Sequence, residues 1–439
     1  MSARDGPWSG RRVHFIGVGG AGMSGYARAA HALGAQVSGS DAADGPYLER
    51  LAADGLLEAH VGHRAENIPD GDDLEVFYSA AVGAENVERR AARERGIVER
   101  TRAELLAQLS ALRRTIAVAG THGKTTTSSM LVHALRAAGL QPGWLVGAPI
   151  GGGLPNAEWG TGEWLVVEAD ESDRSMLSLS VEIAVVTNVE LDHHATFASL
   201  AQLREAFSEF LARAQRAAVV WDRPELLELV ADAETAAIEL VRYDVPEPTL
   251  EAGGSRFRWR GREVHLAVPG AHNALDAAAA LEAARLSGAD LDAAIAALAG
   301  FHGAGRRFQP LGVSSGGARV YEDYAHHPTE IAATLAGART LAPKRLVAVF
   351  QPHLYSRTKL LAREFGLALA NADVVVVLDV YPARERAEDH PGVSGLLIAE
   401  ASADAAPGRP VFWLPSFSDA EPVLRGLLEE GQLCVVMGA

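Results

Sequence analysis

Gly120-Thr121-His122-Gly123-Lys124-Thr125-Thr126 follows the apolar run 115–119 and precedes a stretch with apolar residues at helical spacing. A tight turn between a strand and a helix directs backbone N–H groups, and the positive end of the helix dipole, at one point in space, which suits a phosphate. In such a loop Lys124 neutralises the outer phosphates and the Thr125 hydroxyl ligates Mg²⁺. The usual spacing places a glycine five residues before the glycine of Gly-Lys, and Val118 stands there instead. A threonine run is poor helix-forming material, so a purely structural reason for it is weak.

Five further clusters sit where apolar runs end. Gly17-Val18-Gly19-Gly20-Ala21-Gly22 fits G-x-G-x-x-G, and Asp41 follows at the end of the next apolar run. The pattern implies close approach of backbone to a pyrophosphate; an NAD-type cofactor and a UDP-sugar both carry one. Glu168-Ala169-Asp170-Glu171-Ser172-Asp173 puts four carboxylates within six residues, which repel one another unless a cation or a basic ligand is near. Glu168, closest to the run 163–167, is the first candidate ligand. Asn188-Val189-Glu190-Leu191-Asp192-His193-His194 ends the run 182–187 and would lie beside Glu168 if the two strands are neighbours. Oxygen donors with one imidazole suit Mg²⁺ or Mn²⁺ better than zinc. Finally, Glu322-Asp323-Tyr324-Ala325-His326-His327-Pro328 and Gln351-Pro352-His353-Leu354-Tyr355-Ser356-Arg357-Thr358, preceded by Arg306-Arg307, gather histidines and arginines. Arginines of this kind bind carboxylate or phosphate in bidentate fashion. Each cluster alone is also compatible with a solvated loop.

The elements that must position these groups alternate in type. Residues 13–20 read as a strand entering a turn, 21–33 as a helix, 35–41 and 76–81 as strands, and 85–109 as largely helical. The run 115–120 is a strand and 125–139 a helix closed by Gly139. Strands follow at 163–170, 182–188 and 217–222. Residues 242–266 suit an antiparallel hairpin, and 273–286 a long Ala-rich helix. Strands at 318–328, 345–353, 372–383 and 432–439 complete the chain, separated by helical stretches; the last leaves room for a further C-terminal helix. Strand–turn–helix–strand patterning is that of α/β folds with parallel, doubly wound sheets, in which ligands bind outside the carboxyl ends of strands.

The 439 residues allow two to four domains at roughly 100–200 residues each. Hydrophobic residues make up 48% and charged residues 22%, as in globular proteins. A net charge of −16 disfavours nucleic acid as a partner. The one cysteine, Cys434, lies in an apolar run and reads as a buried strand residue. No run of about 18 apolar residues predicts a membrane span, and residues 1–12 lack the apolar core of a signal peptide. A reducing cytoplasm fits these features.

The ordered blocks HFIGVGGAGMSG (14–25), GTHGKTT (120–126), EADESD (168–173), TNVELDH (187–193), PGAHN (269–273), GRRFQ (305–309), DYAHHPTE (323–330), FQPHLYSRT (350–358) and DVYPARE (379–385) resemble the Mur ligases from about residue 12 to the end. The resemblance implies three domains: residues 1–111, Rossmann-like, binding a UDP-muramyl substrate; 112–308, a P-loop-like α/β domain binding ATP; and 309–439, Rossmann-like, binding the amino acid. It implies ATP-dependent joining of L-alanine to the lactoyl carboxylate of UDP-N-acetylmuramate through an acyl phosphate, in peptidoglycan precursor synthesis, with small-molecule partners only.

Carried over by position, Gly120, Thr121, His122, Gly123, Lys124, Thr125 and Thr126 would hold the ATP phosphates. Lys124, Glu168, His193 and Arg357 would carry the catalysis, and Thr125, Glu168 and His193 the Mg²⁺ (or Mn²⁺). Asn273 would face adenine, and Asp323 the ribose or base. Gly17, Gly19, Gly20, Gly22, Met23 and Asp41 would lie at the UDP moiety, and Tyr324, His326 and Arg357 would line the alanine pocket. The chain departs from the family pattern at Ala195 (Asp is usual two residues after the histidine), Leu354 (usually Arg) and Ala325 (usually Gly). A sister ligase with a muramyl-peptide acceptor, an NAD-dependent oxidoreductase resting on residues 17–22, and a non-catalytic nucleotide switch are the competing readings. The oxidoreductase leaves the second phosphate loop unexplained, and the switch gives the third set of clusters no purpose.

Overall fold

The computed structural model describes residues 6–438 apart from 72, 195, 234–237 and 384. Ala195, one of the departures from the family pattern, therefore lies outside the described residues. The chain forms two compact units, Met1–Asp244 with Asp276–Ala297, and Val245–Leu275 with Leu298–Ala439.

The first unit holds two sheets. One contains β1 (Arg12–Ile16), β2 (Gln36–Asp41), β3 (Glu58–Val61), β4 (Leu74–Tyr78) and β5 (Val98–Thr101) in the order β3-β2-β1-β4-β5. All its pairings are parallel. Helix α1 (Ala21–Ala32) packs its small-residue face inward, with Tyr26, Ala27, Ala29 and Ala30 buried. The segment expected to be largely helical, 85–109, is in fact α2 (Val87–Glu94), then β5, then α3 (Arg102–Ser110). Gly96, at φ 69°, reverses the chain after α2, and a reciprocal capping box between Thr101 and Glu104 starts α3.

The second sheet comprises β6 (Arg114–Ala119), β7 (Gly143–Leu145), β8 (Ala157–Glu158), β9 (Trp164–Glu168), β10 (Val181–Val186), β11 (Ala214–Trp221) and β12 (Glu239–Tyr243), in the order β12-β11-β10-β6-β9-β7-β8. Only β8 runs antiparallel. β6 and β10 are buried almost throughout, as strands covered on both faces must be. Helix α4 (Lys124–Ala137) follows β6 directly and ends at Gly139, φ 77°. Strands β9 and β10 are not neighbours, contrary to the condition set on sequence grounds: β6 lies between them. Their carboxyl ends therefore flank the glycine turn that leaves β6.

The two sheets of this unit meet where α1 passes β8. A Cβ on Gly25 would lie 2.9 Å from the Cβ of Ala157, so glycine permits the approach. Asn156 Nδ2 donates to the carbonyl of Ala21 across the same junction (2.6 Å).

In the second unit, β13 (Thr249–Glu251), β14 (Gly254–Trp259) and β15 (Arg262–Leu266) form an antiparallel meander. The hairpin expected over 242–266 is thus a three-stranded sheet whose N-terminal residues belong to β12 of the other unit. A six-stranded sheet follows the order β16-β17-β21-β18-β19-β20, from β16 (Gln309–Val313), β17 (Arg319–Asp323), β18 (Leu346–Phe350), β19 (Val374–Leu378), β20 (Val411–Leu414) and β21 (Leu433–Met437). β16 is its antiparallel edge. β18 and β19 are wholly buried, and Cys434 is buried in β21, as its apolar surroundings predicted.

Candidate functional site

The turn after β6 is held by the strand end beside it. The N–H of Thr121 donates to the carbonyl of Asn188 (3.1 Å), and the N–H of His122 to Asn188 Oδ1 (2.9 Å). Asn188 Nδ2 and the Thr187 hydroxyl both donate to the carbonyl of His122 (3.0 and 2.5 Å). Thr121 Oγ1 bonds the carbonyl and the amide of Glu190, each at 2.9 Å. Residues 187–190 are thus a clamp that fixes the turn. The Thr121 and His122 amides serve the clamp. The first-turn amides of α4, which have no partner within their own helix, remain the natural anion donors. Gly123 begins that helix at φ 82°, and a Cβ there would sit 2.5 Å from Asp276 Oδ1; any other residue would be strained and crowded.

Lys124 curls over this turn. Its Nζ donates to the carbonyls of Gly120 (2.5 Å) and Thr121 (3.3 Å) and to both carboxylate oxygens of Glu171 (3.0 and 2.8 Å). Burial opposes its charge, but Glu171 and Asp170 outweigh that and raise its pKa. Glu171 is fully buried and also meets His193 Nε2 at 3.1 Å. The residue that joins Lys124 to His193 is therefore Glu171, which the sequence reading did not single out within its acidic cluster. His193 itself adopts φ 54°.

Thr125 Oγ1 donates to Glu168 Oε1 (3.0 Å), and the Gly147 amide donates to the other Glu168 oxygen (2.7 Å). A hydroxyl and a carboxylate at the first turn of α4, with an imidazole reached through Glu171, form a hard, oxygen-rich donor set. That set fits Mg²⁺ or Mn²⁺. Asp170 lies alongside. Burial pushes its pKa up, but Arg102, Lys124 and Ser172 prevail and bring it down to about 2.

At the other glycine turn, the amides of Gly17 and Val18 donate to the carbonyl of Ser40 (2.8 and 3.0 Å), and that of Gly19 to Asp41 Oδ2 (2.8 Å). Asp41 thus braces the loop as well as lying beside it. Gly20 precedes α1, Gly22 opens onto Tyr26 and Arg102, and Met23 is buried. Beneath this turn is a buried polar network with no obvious sequence signature. Glu88 accepts from Ser40 Oγ (2.5 Å), Asn67 Nδ2 (2.6 Å) and the Arg64 amide (3.1 Å), with His14 Nε2 and His63 Nδ1 each at 3.5 Å.

In the second unit the expected amino-acid residues do come together. Arg306 and Arg307 lie over the Tyr324 ring, 4.6 and 5.4 Å from its centre. Tyr324 meets His326 edge-on at 5.2 Å, and His326 meets His353 at 6.4 Å. Arg357 is buried, with Nη1 3.2 Å from His353 Nδ1. Leu354 is buried at φ 70° immediately before the helix Tyr355–Leu369. Asp323 accepts from the amides of Phe308 (2.8 Å) and Ala325 (2.8 Å), tying 305–309 to 323–330, and burial pushes its pKa up to about 6. Asn273 is buried and donates to the carbonyl of Pro269 (2.7 Å). Both residues are held by backbone groups at the positions assigned to nucleotide contacts.

Three family profiles cover the chain: "Mur ligase family, catalytic domain" over residues 12–114, "Mur ligase middle domain" over 118–284, and "Mur ligase, glutamate ligase domain" over 306–439. The sequence is 45% identical to a UDP-N-acetylmuramate–L-alanine ligase of Saccharopolyspora erythraea, covering 98% of this chain and 90% of that protein. It is 46% identical to the protein of the same name from Kineococcus radiotolerans, covering 98% and 93%. Among solved structures, a UDP-N-acetylmuramate-alanine ligase from Thermotoga maritima superposes with a TM-score of 0.80 at 27% identity, covering 98% of this chain and 95% of that one. With its fold, its ordered motifs and its full-length relatives in agreement, the chain belongs to the Mur ligase family.

Proposed function

We propose that this protein joins L-alanine to the lactoyl carboxylate of UDP-N-acetylmuramate at the expense of ATP, a cytoplasmic step in making peptidoglycan precursors. The reading divides the chain into a UDP-substrate domain (1–111), an ATP domain (112–308) and an amino-acid domain (309–439). The observation that carries it is the cluster at the start of α4: Lys124 Nζ lies at 2.8 Å from Glu171, and Thr125 Oγ1 at 3.0 Å from Glu168, around a glycine turn that follows a buried parallel strand.

A carboxylate is a poor electrophile, so it must be activated. One of its oxygens attacks the γ-phosphorus of ATP and ADP leaves, which gives an acyl phosphate. The amine of alanine, having lost its proton, attacks the carbonyl carbon, and inorganic phosphate departs with the oxygen that came from the carboxylate. The first-turn amides of α4 and Lys124 stabilise charge on the transferred phosphoryl group. A divalent cation bound by Thr125, Glu168 and His193 would neutralise phosphate charge. Tyr324, His326 and Arg357 would line the alanine pocket, with Arg357 offering a guanidinium to the alanine carboxylate.

Phosphate release measured over a panel of amino acids with UDP-N-acetylmuramate and ATP tests this reading. Release that requires the UDP-muramyl acceptor and is fastest with L-alanine supports it. Release that depends on a free peptide in place of alanine would support the muramyl-peptide ligase instead.

A further inference from the structure

A small cavity of about 130 Å³ lies within the first unit and is bordered by Gly22, Tyr26, Arg102, Gly147, Glu168 and Asp170. That is room for roughly four water molecules at about 30 Å³ each. Its lining includes Gly22, the last glycine of the first glycine turn, and Glu168, which is bonded to Thr125 of the phosphate loop. Arg102 is the one cationic side chain among the described residues lining it.

Arg102 is the first residue of α3, directed by the Thr101 cap. Its Nε donates to the buried Tyr26 hydroxyl at 3.2 Å. Its other nitrogens face Asp170 at 3.3 and 3.4 Å and Asp173 at 3.3 Å. Charge-assisted guanidinium–carboxylate bonds are ordinarily about 2.7–2.9 Å. Elsewhere in this chain Arg89 and Arg339 reach 2.7 Å from their carboxylates. Arg102 is therefore shared loosely between two acids while its Nε is fixed by Tyr26.

On the ligase reading above, an acid carried by the UDP-sugar has to pass from the first glycine turn to the phosphate loop. Residues of both neighbourhoods line the cavity, and its carboxylates would repel the acid unless a cation received it. We propose that Arg102 is a positioning residue that takes the acceptor's carboxylate, exchanging Asp173 or Asp170 for it and presenting the acid to the phosphoryl donor. Tyr26 holds the guanidinium in place for the exchange. No bond is made or broken covalently.

The test is calorimetric binding of UDP-N-acetylmuramate and of UDP-N-acetylglucosamine, which lacks the lactoyl acid, to the full chain and its variants. Arg102→Met should weaken the acid-bearing ligand by about ten- to a hundredfold, the range of a hydrogen bond to a charged group, and leave the other within about twofold. Asp173→Asn keeps the oxygen that caps Ser175 and removes one competing charge. It should tighten the acid-bearing ligand alone. If Arg102→Met fails to fold, Arg102→Lys should show a partial loss of discrimination, with KM for the UDP-muramyl substrate rising while KM for ATP holds. Equal weakening of both ligands, or no change in either, would overturn the proposal and leave Arg102 a structural tie. Wild-type protein that binds both ligands equally would instead count against the ligase reading.

Discussion

Lys124 Nζ lies 2.8 Å from a carboxylate oxygen of Glu171, a residue with no exposure to solvent. The lysine assigned to the phosphates is thus paired with the protein's own acid, which His193 shares. Removing one partner of such a pair leaves a charge uncompensated and costs about 3–5 kcal/mol when both are buried; Lys124 keeps some exposure, so the lower end applies. Glu171→Gln should therefore lower the melting temperature of the nucleotide-free protein. Added ATP with Mg²⁺ should restore more stability to the variant than to the wild type. A thermal-shift series with and without nucleotide checks both; equal increments would argue against phosphate taking over the Glu171 contact.

Lys124→Ala should reduce phosphate release by at least about a hundredfold, the usual loss on removing one charge-stabilising donor. Binding of UDP-N-acetylmuramate should be largely retained, because the Gly17–Gly22 turn is built on a different sheet. Rapid-quench phosphate assays and calorimetry on the same preparation separate the two effects. Comparable loss of both would contradict the division of labour.

Glu88 provides a pH signature. Burial alone would raise its pKa, but hydrogen bonds from His14, Ser40 and Asn67 prevail and hold it at about 2 against an ordinary 4.5. A carboxyl whose pKa is depressed on folding stabilises the fold above its unfolded pKa, and that stability is lost as pH falls from about 4.5 toward 2. The linkage corresponds to about 3 kcal/mol. Urea unfolding between pH 6 and 3, values chosen to bracket the start of that window, should show the decline. In Glu88→Gln the decline should be shallower from a lower starting stability.

Arg357→Lys should raise the KM for L-alanine about tenfold or more while changing that for ATP little, because a planar fork is replaced by a point charge. Steady-state kinetics with each substrate varied in turn gives the comparison. A rise confined to ATP would move Arg357 out of the amino-acid pocket.

The strand–turn–helix around Gly120–Thr126 was legible because its pattern is local: the turn residues are contiguous, and the flanking strand and helix have clear periods. Glu168 and His193 were also placed at strand ends from pattern alone, but their relation was not, since only strand order puts β6 between them. Glu171 and Arg102 were beyond sequence reasoning for the same reason. Their partners are 47 and 68 residues away, and a carboxylate within an acidic run, or an arginine in a charged segment, carries no sign of its distant partner. Strand β5 was hidden by its length, four residues between two polar helices. Asp323 was read as a nucleotide contact through the resemblance; that its oxygens also accept from the Phe308 and Ala325 amides and so close the loop is a use that no motif announces.

The central claim is that the acceptor acid is phosphorylated before alanine attacks. UDP-N-acetylmuramate carrying heavy oxygen in both carboxylate positions should yield inorganic phosphate with one labelled oxygen and an amide retaining the other. Phosphate free of label, with product formed at the normal rate, would contradict the account.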